Sequence, residues 1–332
     1  MSHYQEKFQL GSLLLPNNIF YAPMAGHTDC AFRRIASLFG PGLTFCEMVK
    51  IEAVVRRCPE TLRMLEIEKG NHPIGAQICG SNPSIAAEAA KFVEGLGFDL
   101  IDLNCGCPVN KVTKDCSGSA LLRDLPLLRK MISAIVCSVS IPVTMKVRSG
   151  WDEESICVLE LVQMAEEHGI SGITIHGRTR KQKYEGFSNP LHIAEGKKRA
   201  KKIPVFGNGD VRDAETARSL FEKTHCDGLM IARAALAMPW IVQEIRSDFL
   251  HTPFIPPDPL EILSLHFSHL EEYYPPEKLL YQMKRIACGY LKGMRGVKKL
   301  RTACNHSKTV EEMKRNIHFF KEQRDVQDVA DD

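Results

Sequence analysis

What most constrains the fold of this 332-residue chain is a repeated change of period along it. Short apolar runs rich in β-branched residues occur at 19–24, 43–48, 74–78, 100–104, 143–147, 173–176, 205–208 and 229–233. They alternate with amphipathic stretches of helical spacing, among them 82–95, 118–139, 154–169 and 213–224. Several stretches open on Asp, Asn or Thr and close on Gly, the residues that satisfy helix ends. Eight strands separated by helices predict a parallel (β/α)8 TIM barrel rather than an open doubly wound sheet. Such a barrel takes about 250 residues, which leaves enough chain for a second, smaller unit. A helix running from 234 through Met238-Pro239-Trp240 to Phe249 is expected to finish the barrel. The segment 252–259 then carries four prolines, each lacking a backbone donor and disfavouring helix. The boundary is placed there: a barrel over 1–250 and a small helical bundle over 251–332, with helices predicted at 260–274, 278–294, 297–306 and 309–323.

Composition narrows the class without naming a function. The chain is 44% hydrophobic and 25% charged, as globular proteins are, and contains no low-complexity tract. Its N-terminus lacks the charged-then-apolar pattern of a signal peptide, and no apolar run approaches the ~18 residues of a membrane span. A cytoplasmic protein with no membrane partner is expected. Twelve cysteines scattered through a chain without an export pattern read as mostly buried thiols, not as a disulfide framework. The net charge of +3 is too small to identify a partner, so its distribution matters more.

In barrels of this kind functional residues gather at the C-terminal ends of the strands. Those ends read Pro23-Met24-Ala25-Gly26, Glu47, Gln77, Asn104 to Pro108, Lys146 with Arg148, His176 with Arg178, Asn208-Gly209-Asp210, and Ala232-Arg233. Any one of them reads as a turn or a strand-end charge; together they predict a site. The last two suit an anion, because small residues let backbone N–H groups approach and Arg233 adds a charged donor fork. Lys146 interrupts an otherwise apolar run. It either meets an electron-rich group inside the barrel or extends its stem to solvent at the mouth. In Asp102-Leu-Asn104-Cys-Gly-Cys107-Pro108 the two thiols are one residue apart, which is not a zinc spacing, and Cys116 does not complete one; no metal is expected. Cys105 and Cys116 read as core thiols. Cys107 lies between Gly106 and Pro108 in a tight loop, and a thiol with an ordinary pKa near ~8.5 still holds its proton at neutral pH, so it can donate it.

These motifs resemble the tRNA-dihydrouridine synthase family, most closely its bacterial B-type branch, from about Phe8 to the end of the barrel and more weakly in the tail. The residues concerned are Ala22 to Gly26, Gln77, Asp102 to Lys111, Gly118-Ser119-Ala120-Leu121, Lys146-Val-Arg148, His176-Gly-Arg178-Thr179 and Asn208-Gly209-Asp210. The resemblance implies FMN in the barrel mouth and NADPH as its reductant. Pro23, Met24 and Ala25 would lie under the ring, with Gln77, Lys146 and His176 at its rim. Asn208, Gly209, Asp210, Ala232 and Arg233 would lie near the ribityl chain and phosphate. It also implies that hydride passes from flavin N5 to uridine C6 while Cys107 protonates C5 from the opposite face. Asn104, Lys111 and Arg178, together with His176, become candidates for holding uracil or a neighbouring phosphate. Ala232 departs from the family, which usually has Gly there, and its methyl could crowd an approaching phosphate.

A tRNA partner gives the basic segments a use. Residues 278–301 carry Lys278, Lys284, Arg285, Lys292, Arg295, Lys298, Lys299 and Arg301 and no acidic residue; such a stretch is either a solvated face or a surface for phosphate backbone. Of these, Lys284, Arg285, Lys298 and Arg301 are the chosen RNA-binding candidates. The segments 178–183 and 197–202 continue the basic character from the sixth strand, at the mouth. A uridine must also leave its stack before a flavin can lie against it. Two other readings stay open. An FMN barrel reducing a small pyrimidine or alkene would have no use for the tail, and an RNA-binding barrel without catalysis would need neither Lys146 nor Cys107. A yellow purified protein argues against the second. A monomer is expected.

Overall fold

Parallel pairing runs around a ring of eight strands. The computed structural model describes residues 3–331 apart from 69, 293 and 295, with side chains described as far as 324; Arg295 of the basic segment therefore lies outside the described residues. The barrel strands, numbered β1 to β8, are Ile19–Tyr21, Thr44–Phe45, Ile74–Cys79, Leu100–Cys105, Val143–Arg148, Gly172–His176, Val205–Asn208 and Gly228–Ile231. β1 pairs with β8, and the path continues through β7, β6, β5, β4 and β3 to β2. The ring closes where Phe20 bridges Leu43 in parallel and the Tyr21 N–H donates to the Leu43 carbonyl at 3.0 Å. The predicted TIM barrel is thus present, each strand falling inside or overlapping a predicted run.

Alternation along the strands divides the interior into two regions. Ile101, Leu103, Cys105, Met145, Val147, Ile173 and Ile175 join the large core between strands and helices. The opposite parity supplies a smaller core at the bottom of the barrel, from Phe20, Phe45, Leu100, Phe206 and Met230. An antiparallel hairpin, Glu6–Leu10 with Leu13–Asn17, lies outside the predicted runs and plugs that end with Phe8, Leu10 and Leu15. Above these apolar layers the inward positions become polar: Gln77, Asp102, Asn104, Thr144 and Asn208 are all buried.

Two predicted helices are broken. The stretch 118–139 forms a 3-10 turn, Gly118–Arg123, and a helix, Leu125–Val136. Asp124 leaves the helical region between them and caps the second, accepting from the Leu127 N–H at 2.9 Å. The expected helix through 238–240 is likewise split into Arg233–Ala237 and Ile241–Leu250. Met238 precedes Pro239, whose ring disfavours helical backbone there, and it adopts φ −135° and ψ 77°.

Residues 252–258 carry no regular structure, and four helices follow: Pro259–Tyr273, Pro276–Tyr290, Lys298–His306 and Val310–Asp331. Their core, from Leu263, Phe267, Met283, Leu300 and Met313, continues into Ala31, Ile35 and Phe39 near the β1 loop and Trp240 after β8. The Tyr274 hydroxyl donates to Asp29 at 2.8 Å, and Asp29 caps the helix Cys30–Ser37 that follows β1. These contacts seat the tail beside the β1 loop. Among the described residues no helix is long and apolar enough to cross a membrane.

Close packing at the barrel seam gives a direct test. A Cβ on Gly228 would lie 2.3 Å from the Asn18 carbonyl oxygen and 2.7 Å from the Phe206 ring. Because backbone lines one side, Gly228→Ala should lower stability by about 1–3 kcal/mol in urea unfolding. An unchanged midpoint would show that the seam is looser than described.

Candidate active site

A chain of hydrogen bonds rises through the barrel interior to the β4 loop. Asp102 is buried and accepts from Gln77 Nε2 at 2.6 Å and from Thr144 Oγ1 at 2.7 Å. Gln77 Oε1 in turn accepts from Asn104 Nδ2 at 2.8 Å. Asn104 Oδ1 then receives the backbone N–H of Gly106 at 3.2 Å and of Cys107 at 2.9 Å. Burial pushes the Asp102 carboxyl up to about 6, opposed by the Gln77 and Thr144 hydrogen bonds and by Lys146. It remains mostly ionised at neutral pH.

Cys107 is half-buried at the end of this chain. Its carbonyl accepts from the Ser119 N–H at 3.2 Å and the Ser119 hydroxyl at 2.9 Å. Gly118 makes that approach possible: its φ is +61°, and a Cβ there would lie 3.0 Å from the Cys107 oxygen. Arg148, only 2% exposed, donates from Nε to the Gly106 carbonyl at 2.9 Å and from Nη1 to the Thr179 and Lys183 carbonyls at 2.6 and 2.7 Å. Burial pushes the Cys107 thiol up, while the Val109 N–H, Arg148 and Lys146 pull it down less strongly. The sulfur therefore keeps its proton at neutral pH.

The strands that follow β4 around the barrel bring cations to the mouth. Lys146 donates to Asn208 Oδ1 at 2.8 Å, and Asn208 Nδ2 to the Met230 carbonyl at 2.6 Å. Burial, then the Arg148 charge, bring the Lys146 ammonium down to about 8, although part of the side chain stays accessible at the mouth. His176 is held well below its ordinary value by burial and by Lys146, Arg148, Arg178 and Arg233. Being neutral, it accepts from Arg178 Nη1 at Nε2, 3.2 Å away, which leaves its proton on Nδ1. Arg178 is 2% exposed and committed to its surroundings: Nη2 binds both Asp210 oxygens, at 2.9 and 2.8 Å, and the Gly186 carbonyl at 2.6 Å. Burial raises Asp210, but the Ser188 N–H, Arg178 and Arg233 together hold it below the usual carboxylate range. Arg233 is exposed, with Nη2 3.5 Å from Asp210. Ala232 caps the short helix Arg233–Ala237 at φ −107°, where a methyl group brings no left-handed strain.

The remaining candidates divide by position. Pro23, Met24 and Ala25 form a turn at the mouth, closed by the His27 and Thr28 N–H groups on the Met24 carbonyl and by Gly26 N–H on the Glu47 carboxylate. Gly209 lies against Ser188, and a Cβ there would meet Ser188 Oγ at 2.4 Å. Lys111 is exposed on the turn after Cys107. In the tail Lys298 and Arg301 are exposed, and Lys284 donates to the Asn305 carbonyl at 2.9 Å. Arg285 differs from them. It turns toward Gly26, with Nη1 3.0 Å from where a Gly26 Cβ would stand and with Nε and Nη2 buried.

Two expectations need correction. Lys197 to Lys202 do not continue the mouth. They end the helix Pro190–Arg199 and lead into β7, so they lie at the opposite end of the barrel, where Lys197 pairs with Asp227 at 2.6 Å just before β8. Cys116 is exposed at φ +55° and is not a core thiol, because it sits in the turn between Thr113 and Gly118. Cys105 is fully buried in the strand–helix core, as read. Asp102 and Arg148 organise the site although the sequence reading gave them no role. The signal for Asp102 was present, an acid at inward parity in an apolar strand. Among the described residues no cluster of three His, Cys, Asp or Glu side chains could hold a metal.

Known proteins match on this architecture. The family model described as dihydrouridine synthase matches residues 20–324. A probable tRNA-dihydrouridine synthase of Rickettsia bellii is 39% identical over 272 residues, 80% of this chain and 83% of that one. A tRNA-dihydrouridine synthase B of Pseudomonas aeruginosa is 36% identical over 301 residues, 90% of each chain. Among solved structures, histamine dehydrogenase from Rhizobium sp. 4-9 is similar with a TM-score of 0.57 at 16% identity, over 80% of this chain and 50% of that one. Morphinone reductase in complex with tetrahydroNAD is similar with a TM-score of 0.53 at 15% identity, over 77% and 93%. At these identities the structures match in fold.

The placement of Arg178 predicts a structural effect. Arg178→Met would strip Asp210 of its closest cation and free two loop carbonyls, costing about 3 kcal/mol in denaturant unfolding. A loss of only a few tenths would show that the pair is not a support.

Proposed function

This chain belongs to the dihydrouridine synthase family, and we propose that it reduces the C5=C6 bond of uridines in tRNA at its barrel mouth, using FMN that NADPH recharges. One observation carries this reading: a proton-bearing thiol, Cys107, and a sunken cationic cluster around Lys146 share one mouth. Relatives named for tRNA support RNA as the substrate class.

The residues fit FMN by their chemistry. The Lys146 ammonium with the Gln77 and Asn208 amides suits the carbonyl-rich edge of an isoalloxazine ring, and neutral His176 offers an Nδ1–H beside them. Pro23, Met24 and Ala25 supply a largely apolar turn as a floor. Gly209, Asp210, Ala232 and Arg233 form the rim proposed for the ribityl chain and phosphate, with the exposed Arg233 guanidinium as the charged donor. When bound, the flavin supplies the hydride that reaches uridine C6.

The chain's own residues supply the proton and the positioning. Cys107 holds a proton at Sγ for C5, and the Val109 N–H, Arg148 and Lys146 stabilise the thiolate left after transfer. Asn104 and Arg148 fix the backbone that carries it. Arg178 acts through Asp210 and the loop at 185–186. Lys111, exposed on the turn after Cys107, would meet RNA beside the mouth. Residues 251–332 are the proposed RNA-binding unit: Lys284, Lys298 and Arg301 would meet the phosphate backbone, and Arg285, turned toward Gly26 at the mouth, would meet RNA closest to the reacting base.

Cys107→Ala should retain flavin and its reduction by NADPH, yet slow reoxidation of the reduced flavin by tRNA roughly 10²- to 10⁴-fold in single-turnover absorbance traces. A wild-type rate would remove Cys107 from the reaction. Reversing Lys298, Lys299 and Arg301 to Glu should weaken tRNA binding and flatten its dependence on log salt by roughly two to three charges, leaving the flavin spectrum alone. Binding that keeps its affinity and salt slope would dismiss the tail as a phosphate contact.

A further inference from the structure

The loop that carries Cys107 runs from 106 to 123, and both of its arms are tied to one side chain outside it. Trp151, in the loop after β5, has the Arg180 guanidinium carbon 4.5 Å and the Arg123 guanidinium carbon 4.8 Å from its ring centroid. Arg123 ends the 3-10 turn whose Ser119 grips the Cys107 carbonyl. Arg180 Nη2 donates to Asn110 Oδ1 at 2.7 Å, and Asn110 opens the helical turn just after Cys107-Pro108-Val109. The loop after β6 is also latched through the backbone to the segment that carries Trp151. The Arg180 N–H donates to the Gly150 carbonyl at 3.0 Å and the Lys181 N–H to the Trp151 carbonyl at 2.9 Å, while Lys181 pairs with Asp152 at 2.8 Å.

Two details argue for a role of the ring. Arg180 Nε is buried without a hydrogen-bond acceptor, and the electron-rich indole beside that guanidinium offsets the cost of burying its charge. Arg123 and Arg180 carry like charges, and without the ring their repulsion would separate the two arms of the loop.

We propose that Trp151 is a positioning residue for the reaction: it braces both arms of the β4 loop and thereby fixes where Cys107 Sγ stands at the mouth. This rests on the reading of Cys107 as proton donor given above. A proton donor works only within hydrogen-bond reach of its acceptor, and a displacement of about 1 Å can cost roughly 100-fold in rate.

The test uses the full-length, flavin-loaded enzyme carrying Trp151→Ala, Trp151→Phe or Arg180→Gln. One readout is the pH-dependent rate of Cys107 alkylation by iodoacetamide, mapped by peptide mass so that the exposed Cys116 and Cys137 are counted apart. The other is reoxidation of reduced flavin by saturating tRNA. Trp151→Ala should speed alkylation of Cys107 and slow reoxidation roughly 10- to 100-fold, with flavin reduction by NADPH unchanged. Trp151→Phe should restore most of both, since a ring remains for the cations. Arg180→Gln should give a smaller loss that adds little to Trp151→Ala. Alkylation and reoxidation at wild-type rates in Trp151→Ala would overturn the proposal, as would a folded Trp151→Phe as impaired as Trp151→Ala. If Trp151→Ala does not fold, Arg180→Gln decides on the same two readouts, and wild-type behaviour overturns the proposal. Should Cys107→Ala keep full activity while Trp151→Ala still alters alkylation, the brace stands and the proton-donor reading falls.

Discussion

The polar interior of the barrel depends on one buried acceptor. An ionised Asp102 has only lone pairs to offer, so Gln77 must turn its NH2 toward it. Gln77 then presents its oxygen to Asn104, and Asn104 its oxygen to the N–H groups of Gly106 and Cys107. Two amide orientations and the entry of the Cys107 loop thus follow from the charge of one carboxylate. That charge is costly at a buried position, and burial pushes the carboxyl up to about 6. Thr144 and Lys146 help keep it ionised at neutral pH. Were it protonated, it would gain a donor, and Gln77 could face either way.

A second constraint is the placing of two guanidinium groups, Arg148 and Arg178, where water hardly reaches them. A buried cation is tolerated only when its donors are used. Here they are used on the backbone carbonyls of one loop: Thr179 and Lys183 for Arg148, Glu185 and Gly186 for Arg178. The β6 loop becomes a fixed wall, and Tyr184 stands exposed on it with the Arg148 and Arg233 guanidinium carbons 5.6 and 5.9 Å from its ring. Both cations add to the burial that keeps His176 neutral, and Arg148 opposes the burial that raises Cys107. Rigidity of the wall and electrostatics of the mouth come from the same side chains.

How much of this was legible depends on how local the signal is. The eight strands could be read because a period of two needs only a few residues to declare itself, and Lys146 because a lone charge in an apolar run is conspicuous. The N-terminal hairpin was hidden by the short strands on either side of Gly11. The breaks at Asp124 and Met238 were legible in principle, since Asp caps helices and Pro unsettles its predecessor, but the apolar spacing runs through both. Arg148 could not be assigned, because its acceptors are loop carbonyls 31 and 35 residues further on, with no side-chain signature. Lys197 to Lys202 were misplaced for a simpler reason: half a β/α unit carries the chain from one end of the barrel to the other.

The two thiols of Asn104-Cys-Gly-Cys107 show what finally sets the chemistry of a residue here. Cys105 is the last residue of β4, in register with Val147, and parity sends its side chain outward into the strand–helix core. Burial there drives its pKa far up, and nothing can reach it. Two residues on, strict alternation would send Cys107 the same way. Pairing has stopped by then, and Asn104 Oδ1 has gathered the next two N–H groups and bent the chain. Ser119 and Arg148 hold the bend from either side, through the carbonyls of Cys107 and Gly106. Cys107 ends half-buried at the mouth, close enough to Lys146 and Arg148 to feel their charge. The difference between an inert thiol and a usable one is therefore not in the cysteine but in the residue at which the ladder ends.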